Sequence, residues 1–168
     1  TQELGMEPQI LIVTILMVQF VAWFGALGFN QIAKRTGAKK AILYSLVVWT
    51  TLTVVSYFIV KGSIVQFLLL GAGIAVVLGG TQALSRSLFA QMIPAGKESE
   101  YYGLYEVSDR GTSWIGPLVF GLVYQFTNSY RLALAMIGFF FVVGFVILLF
   151  VNVRRAITES GNDVPSVV

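Results

Sequence analysis

Residues 132–153 read LALAMIGFFFVVGFVILLFVNV, an apolar run that contains no charged side chain. A helix of about 20 such residues crosses the roughly 30 Å hydrocarbon core of a bilayer. Four more uncharged runs of similar length precede it, at 8–33, 41–60, 62–85 and 111–130. Apolar residues follow one another directly, as at 139–141, rather than alternating with polar ones as in a membrane β-barrel. The sequence therefore predicts an all-α integral membrane protein with five transmembrane helices.

The composition supports this class and excludes several others. Hydrophobic residues make up 57% of the 168 residues and charged residues 11%, whereas a soluble domain has about 45–50% and about 25%. The chain contains no Cys and no His. This absence removes thiol chemistry, imidazole acid–base catalysis and most transition-metal sites. We expect no enzyme activity, no metal, no cofactor and no nucleic-acid partner.

Charged and helix-breaking segments set the predicted boundaries. The chain is predicted to form a single bundle over residues 1–155, followed by a flexible cytoplasmic tail over 156–168, where polar residues are typical of a frayed end. Within the bundle we place the transmembrane spans at about 10–33, 41–60, 63–92, 100–126 and 130–153.

The basic residues predict an orientation for these spans. Lys61 and Arg131 lie on one side of the predicted bundle, and Arg110 lies inside the fourth span. The other basic residues all lie on the opposite side: Lys34, Arg35, Lys39, Lys40, Arg86, Lys97, Arg154 and Arg155. By the positive-inside rule the richer side is cytoplasmic. The amino terminus is then expected outside and the carboxyl terminus in the cytoplasm.

The start of the chain predicts that it is part of a longer protein. It opens with Thr1 rather than Met and shows no signal peptide, although its amino terminus is predicted to lie outside. We therefore expect a fragment of a longer polytopic chain. Such a fragment would expose an apolar, glycine-lined face, so we also expect it to self-associate.

A cluster of ionisable residues is predicted near the cytoplasmic side of the fourth span. Glu106, Asp109 and Arg110 lie within about one and a half helical turns, and Arg86 of the third span lies at the same side. Three interpretations remain open: a local salt bridge, an inner gate in which Arg86 engages a carboxylate in one conformation, and a proton relay. Hydrolysis by paired carboxylates is disfavoured, because a neighbouring arginine keeps them ionised.

Two further features of the spans bear on function. Gly116 and Pro117 mark a kink in the fourth span, because proline removes a backbone donor. Beside the glycine-rich third span, this kink suggests a moving interface. Gln19 lies near the middle of the first span, one turn before Trp23. It could serve helix–helix hydrogen bonding or contact a substrate.

The connection between the first two spans resembles the signature loop of the major facilitator superfamily. That loop carries a Gly, then Asp-Arg, then Gly, then basic residues. Asn30 replaces the first glycine and Lys34 replaces the aspartate. The residues that match are Arg35, Gly37, Lys39 and Lys40.

Two longer stretches resemble one branch of that superfamily. These are GGTQALSRSLFA at 79–90 and EYYGLYEV at 100–107. They are similar to the vacuole-effluxer-like branch, which is named for an autophagy-linked vacuolar amino-acid effluxer and has many bacterial members. The resemblance implies a partial C-terminal bundle, helices eight to twelve of twelve, with a substrate cavity lined by spans one, three and four. The candidate cavity residues are Gln19, Trp23, Gln82 and Tyr124.

The resemblance also implies a function. The chain is expected to be a fragment of a secondary active transporter that moves small solutes, amino acids among them, by alternating access. It is not expected to transport alone. Its expected partners are the lipid bilayer, the missing N-terminal half and a small-molecule substrate, in a bacterial cytoplasmic membrane. The alternative is a membrane scaffold or assembly protein without transport activity.

Overall fold

The chain folds into helices throughout the part that the structure, a computed structural model, describes, residues 8–60 and 63–166. No strand occurs in these residues. The helices are α1 (Pro8–Thr36), α2 (Ala38–Tyr57), α3 (Ile64–Gln91), α4 (Glu98–Thr112), α5 (Ile115–Thr127), α6 (Tyr130–Phe150) and α7 (Val153–Glu159). Helices α1, α2, α3 and α6 are each long and apolar enough to cross a membrane. The predicted all-α membrane fold is confirmed.

Helices α1 and α3 pack against each other backbone to backbone. A methyl group added at Gly79 would overlap the carbonyl oxygen of Ala22, and one added at Gly25 would overlap that of Val76. A methyl group added at Gly80 would overlap the ring of Phe29. Small residues at a helix crossing allow this approach, and the resulting van der Waals packing is one of the forces that hold helices together in lipid. The α1–α3 pair is therefore the most closely packed part of the bundle.

Helix α6 packs against α2 on one side and α5 on the other. The Trp49 and Phe141 rings stack with centroids 5.0 Å apart, and the Tyr124 and Tyr130 rings lie 4.1 Å apart. Between α5 and α6 the chain reverses at Asn128, whose φ of 50° is left-handed. Asparagine tolerates this conformation better than most residues, so α5 ends there and α6 runs back beside it.

The fourth predicted span, 100–126, consists of two helices in the structure. Helices α4 and α5 are interrupted at Ser113 and Trp114, one turn ahead of the Gly116–Pro117 pair. The position has a physical reason: Pro117 lacks the N–H that would bond the Ser113 carbonyl, and its ring crowds that carbonyl. At the same interruption, the Ser113 hydroxyl donates a hydrogen bond to the Arg110 carbonyl at 2.8 Å. Regular helical bonding resumes with Leu118, whose N–H donates to the Trp114 carbonyl.

The segment from residue 156 onward, for which a flexible tail is predicted, begins within a helix in the structure. The chain forms α7, in which Val153 and Ile157 are buried, the latter with no exposed surface. The side-chain amide of Asn162 then donates to the carbonyls of Gln91 and Ile93 at 3.0 and 2.7 Å. The polar composition concealed one short apolar face, which packs under the bundle. Residues 167–168 lie outside the described part.

The buried core gathers at the end of the bundle where α7 lies, which we call the basic end. Its buried members are Phe29, Ala41, Ile42, Val77, Leu84, Leu88, Val153 and Ile157. Many large apolar side chains point outward, among them Phe20, Phe126 and Phe150, which are 74%, 81% and 85% exposed. Lipid tails are as apolar as these side chains, so a membrane bundle needs no large core of its own.

Candidate functional site

The carboxylate of Glu106 on α4 joins two arginines. Its Oε1 accepts a hydrogen bond from Nη2 of Arg86 on α3 at 3.2 Å. Its Oε2 accepts from Nε of Arg110, one turn further along α4, at 3.3 Å. One carboxylate shared by two cations can change partners at low cost. The structure therefore brings together three members of the predicted charge cluster.

Asp109 does not join this network. Its carboxylate pairs with no cation in the described part of the chain, and the residue is exposed. The Glu106 side chain is 39% exposed, against 59% for Arg86 and 84% for Arg110. The ion pairs are therefore accessible rather than buried.

Helix α4 is held only lightly to the rest of the bundle. It has no buried residue. Besides the Arg86–Glu106 pair, its contact with α3 runs through Phe89, whose ring lies 6.0 Å from the Tyr102 ring and 5.0 Å from the Tyr105 ring. A helix with exposed faces and few anchoring groups can move with a small free-energy cost. Its separation from α5 at Ser113 provides a point about which it could move.

The first turn of α4 is fixed by an acidic residue. Oε1 of Glu98 accepts a hydrogen bond from the backbone N–H of Gly96 at 3.1 Å. The backbone N–H groups of Glu98 itself and of Gly96 lower the pKa of the Glu98 carboxyl below its ordinary value. A negative charge at a helix amino terminus is also favoured by the helix dipole.

The four candidate cavity residues do not line the main apolar cavity described for the bundle. Gln19, Trp23 and Gln82 are exposed on α1 and α3, and Tyr124 packs against Tyr130. An apolar cavity of about 390 Å³ lies between α2, α3, α5 and α6, and none of the four lines it. A shared substrate site for these residues stays a prediction.

The loop with the predicted signature is shorter than expected, because Gly37 alone separates α1 from α2. Its φ of 93° requires glycine, and its N–H donates to the Ala33 carbonyl at 2.8 Å. On the α2 side, Nζ of Lys39 donates to the carbonyls of Leu149 and Val151 at 3.0 and 2.8 Å. The ammonium thus caps the carboxyl end of α6, where a cation is favoured.

Sequence reasoning missed Asn162, which makes the corresponding contact at the end of α3. Its amide donates to the carbonyl of Gln91, the last residue of α3, and to that of Ile93, two residues further on. Lys39 and Asn162 together tie the ends of α2, α3, α6 and α7. An isolated Asn in a polar tail carries no signal of such a partner. In the described residues no group of Asp and Glu side chains is arranged to hold a metal ion.

A family model described as "Vacuole effluxer Atg22 like" matches residues 1–161. This chain belongs to that family. The Atg22-like family predicted from the 79–90 and 100–107 stretches is thereby confirmed, within the major facilitator superfamily.

Two relatives illustrate the similarity of this Atg22-like chain to known proteins. An uncharacterized MFS-type transporter of Bacillus subtilis is 29% identical over 97% of this chain and 38% of its own length. Autophagy-related protein 22 of Kluyveromyces lactis is 38% identical over 56% of this chain and 19% of its own length. The chain thus spans well under half the length of the curated relatives it matches. No solved structure gives a significant match.

Proposed function

We propose that this chain is part of a secondary active transporter that moves small solutes, amino acids among them, by alternating access. Family membership supports a transporter, and one relative is named as an MFS-type transporter. Because that relative is much longer, we infer that the remaining length supplies the other wall of the cavity. The chain alone is then not competent for transport, and its main partner is the rest of the transporter.

The observation that carries the proposal is the Arg86–Glu106–Arg110 network. It links α3, which is locked against α1, to α4, which has no buried residue. An ion pair between a fixed and a loosely held helix can favour one of two helix packings without rigidly imposing it. We assign this network the role of a gate that opens when Arg86 releases Glu106.

The basic end is proposed to face the cytoplasm. Most basic residues of the chain lie there, including Lys34, Arg35, Lys40 and Arg154, whereas Arg131 lies at the opposite end. The amino terminus of α1 would then lie outside. Because the chain has no Cys, a single cysteine at Ser129 or Ser160 can be labelled with a membrane-impermeant maleimide. Labelling of S129C from outside and of S160C only after permeabilisation is expected; the reverse pattern would overturn the orientation.

Transport by the full-length protein in proteoliposomes tests the gate. E106Q removes the charge that Arg86 and Arg110 share, so we expect a change of at least severalfold in the uptake rate of the best amino-acid substrate. The exchanged pair R86E/E106R restores the attraction and should recover part of the rate. The isolated chain should show no uptake above that of empty vesicles.

The Arg155–Glu159 pair offers a matched control. It is also an exposed ion pair at the basic end, 2.6 Å long, but it lies within α7. E159Q should leave the uptake rate unchanged. If no solute is transported by the wild-type protein, or if E106Q changes melting temperature but not uptake, the chain is better described as a membrane scaffold.

A further inference from the structure

Four basic side chains at the basic end have no partner in the described part of the chain. Two lie in the last turn of α1, one in the first turn of α2 and one in the first turn of α7: Lys34, Arg35, Lys40 and Arg154. All four are exposed. We call them the basic collar. By contrast, Arg155 is neutralised by Glu159, and Lys39 is occupied by carbonyls of α6 and its following residue.

The fold brings Arg154 to the other three collar residues, which lie close together in the sequence, at positions 34–40. Lys39 makes its two hydrogen bonds across 110 and 112 positions of the chain, to Leu149 and Val151. These bonds hold the start of α2 against the end of α6, so Lys40 and Arg154 come to the same corner. The collar therefore follows from the same contact that closes the bundle.

Acidic residues at this end lie on a different side. Glu98 and Asp163 both line a groove with Gln91 and Asn162, between the end of α3 and the start of α4. Among the acidic residues that the structure describes, Glu159 alone lies in α1, α2 or α7, and it is paired with Arg155. In the described part of the chain, no ion pair therefore compensates the charge of the collar. An uncompensated basic patch of this kind attracts anions.

One collar residue, Arg154, lines a mostly polar pocket where α6 meets α7, beside the exposed ring of Phe150. A cavity of about 360 Å³ is lined by Lys39, Arg154 and the segment 149–153 between α6 and α7. Within that segment Phe150 is 85% exposed, at the end of a helix long enough to cross the membrane. A free phosphate would need only the cations. A ligand that contacts both the cations and the exposed Phe150 ring has an anionic head beside an acyl chain.

We propose that the basic collar binds the headgroups of anionic phospholipids, with Phe150 against the upper acyl chain. Basic residues next to the end of a membrane helix bind anionic lipid in this way, each strengthening binding by roughly fivefold. The site lies outside the Arg86–Glu106–Arg110 network, so it neither requires nor predicts the gate. Lipid bound there would bridge α1, α2 and α7 at the membrane surface.

Native mass spectrometry of the full-length protein tests the proposal, with phosphatidylglycerol and phosphatidylcholine as probes in mixed micelles. The wild-type protein should retain phosphatidylglycerol in preference to phosphatidylcholine. K40Q/R154Q should lower phosphatidylglycerol affinity by roughly tenfold or more. The matched control K97Q/R131Q removes the same charge outside the collar and should retain the lipid. An unchanged melting temperature shows that each variant is folded.

Three results would overturn the proposal. One is equal retention of the two lipids by the wild-type protein. Another is a loss of phosphatidylglycerol as large in K97Q/R131Q as in K40Q/R154Q, which would mean that only net charge matters. The third is displacement of the lipid by soluble glycerol phosphate at equal concentration, which would assign the collar to soluble phosphates.

Discussion

The α1–α3 pair and the α4–α5 pair are built in opposite ways. In the first, glycines bring two backbones into contact, so that Gly25 and Gly79 have no room even for a methyl group. In the second, neither helix has a buried residue, and the glycines at 103, 111, 116 and 121 have open space where a side chain would be. Glycine therefore allows close backbone contact between α1 and α3, whereas on α4 and α5 it leaves free space beside the helix.

This difference shows how one bundle can combine a fixed and a mobile part. Close packing of α1 on α3 gives a unit that resists deformation, because its atoms have no free volume to move into. The α4–α5 pair is held by rings at Phe89 and Tyr130 and by the shared carboxylate of Glu106. Within this chain, α1 and α3 are therefore expected to resist displacement from each other more than α4 and α5 resist displacement from their neighbours.

The largest effect is expected for G79V. The added side chain would meet the backbone of Ala22, which cannot move aside by changing rotamer. Overpacking costs about 1–3 kcal/mol where side chains can adjust, and here we expect a loss beyond that range. Denaturant titration in mixed micelles should show little or no folded protein.

G121V is the matched control for this substitution. Gly121 lies on α5, with nothing within 4 Å of an added Cβ. Its replacement should leave the unfolding midpoint close to that of the wild type. Equal destabilisation by the two variants would show that the packing contrast between the helix pairs is not real.

A smaller effect is expected for I157A at the basic end. Ile157 is fully buried, in the cluster with Leu88 and Val153. Truncation of a buried Ile to Ala costs about 2–5 kcal/mol. We expect this loss to weaken the docking of α7 on the bundle. Hydrogen exchange should show that the amides of 153–162 lose their protection, while those of α1 and α3 keep theirs.

The control for I157A is I147A, which removes the same atoms from an exposed position on α6. It should leave exchange at 153–162 unchanged. Rapid exchange of α7 in the wild-type protein would contradict its docking and restore the flexible tail that the polar composition predicts.

The helices and the family follow from the sequence, because both depend on local patterns. Uncharged runs of about 20 residues fix four spanning helices, and the 79–90 and 100–107 stretches indicate the Atg22-like branch. Helix α7 escaped prediction because its apolar face consists of Val153, Ile157 and little else. So short an apolar pattern indicates a buried helix only once the core residues that pack against it are known.

The candidate site could be predicted in part. The i, i+4 spacing of Glu106 and Arg110 predicts their contact, since it depends only on helix geometry. The additional Arg86 contact and the separate position of Asp109 depend on how α4 lies against α3, which the sequence does not encode locally. The caps by Lys39 and Asn162 join residues 69 to 112 positions apart.

The smallest effect is expected for the Arg86–Glu106 pair, and it decides how α4 is held. Because both side chains are exposed, a double-mutant cycle of R86Q and E106Q should give a coupling of about 0.2–1 kcal/mol in the free energy of unfolding. Arg110 keeps Glu106 paired in R86Q, which limits the loss further. Repeating the cycle in the R110Q background should therefore raise the coupling. A value above about 3 kcal/mol, typical of breaking a buried pair, would mean that α4 is locked to α3, and the contrast with the α1–α3 pair would disappear.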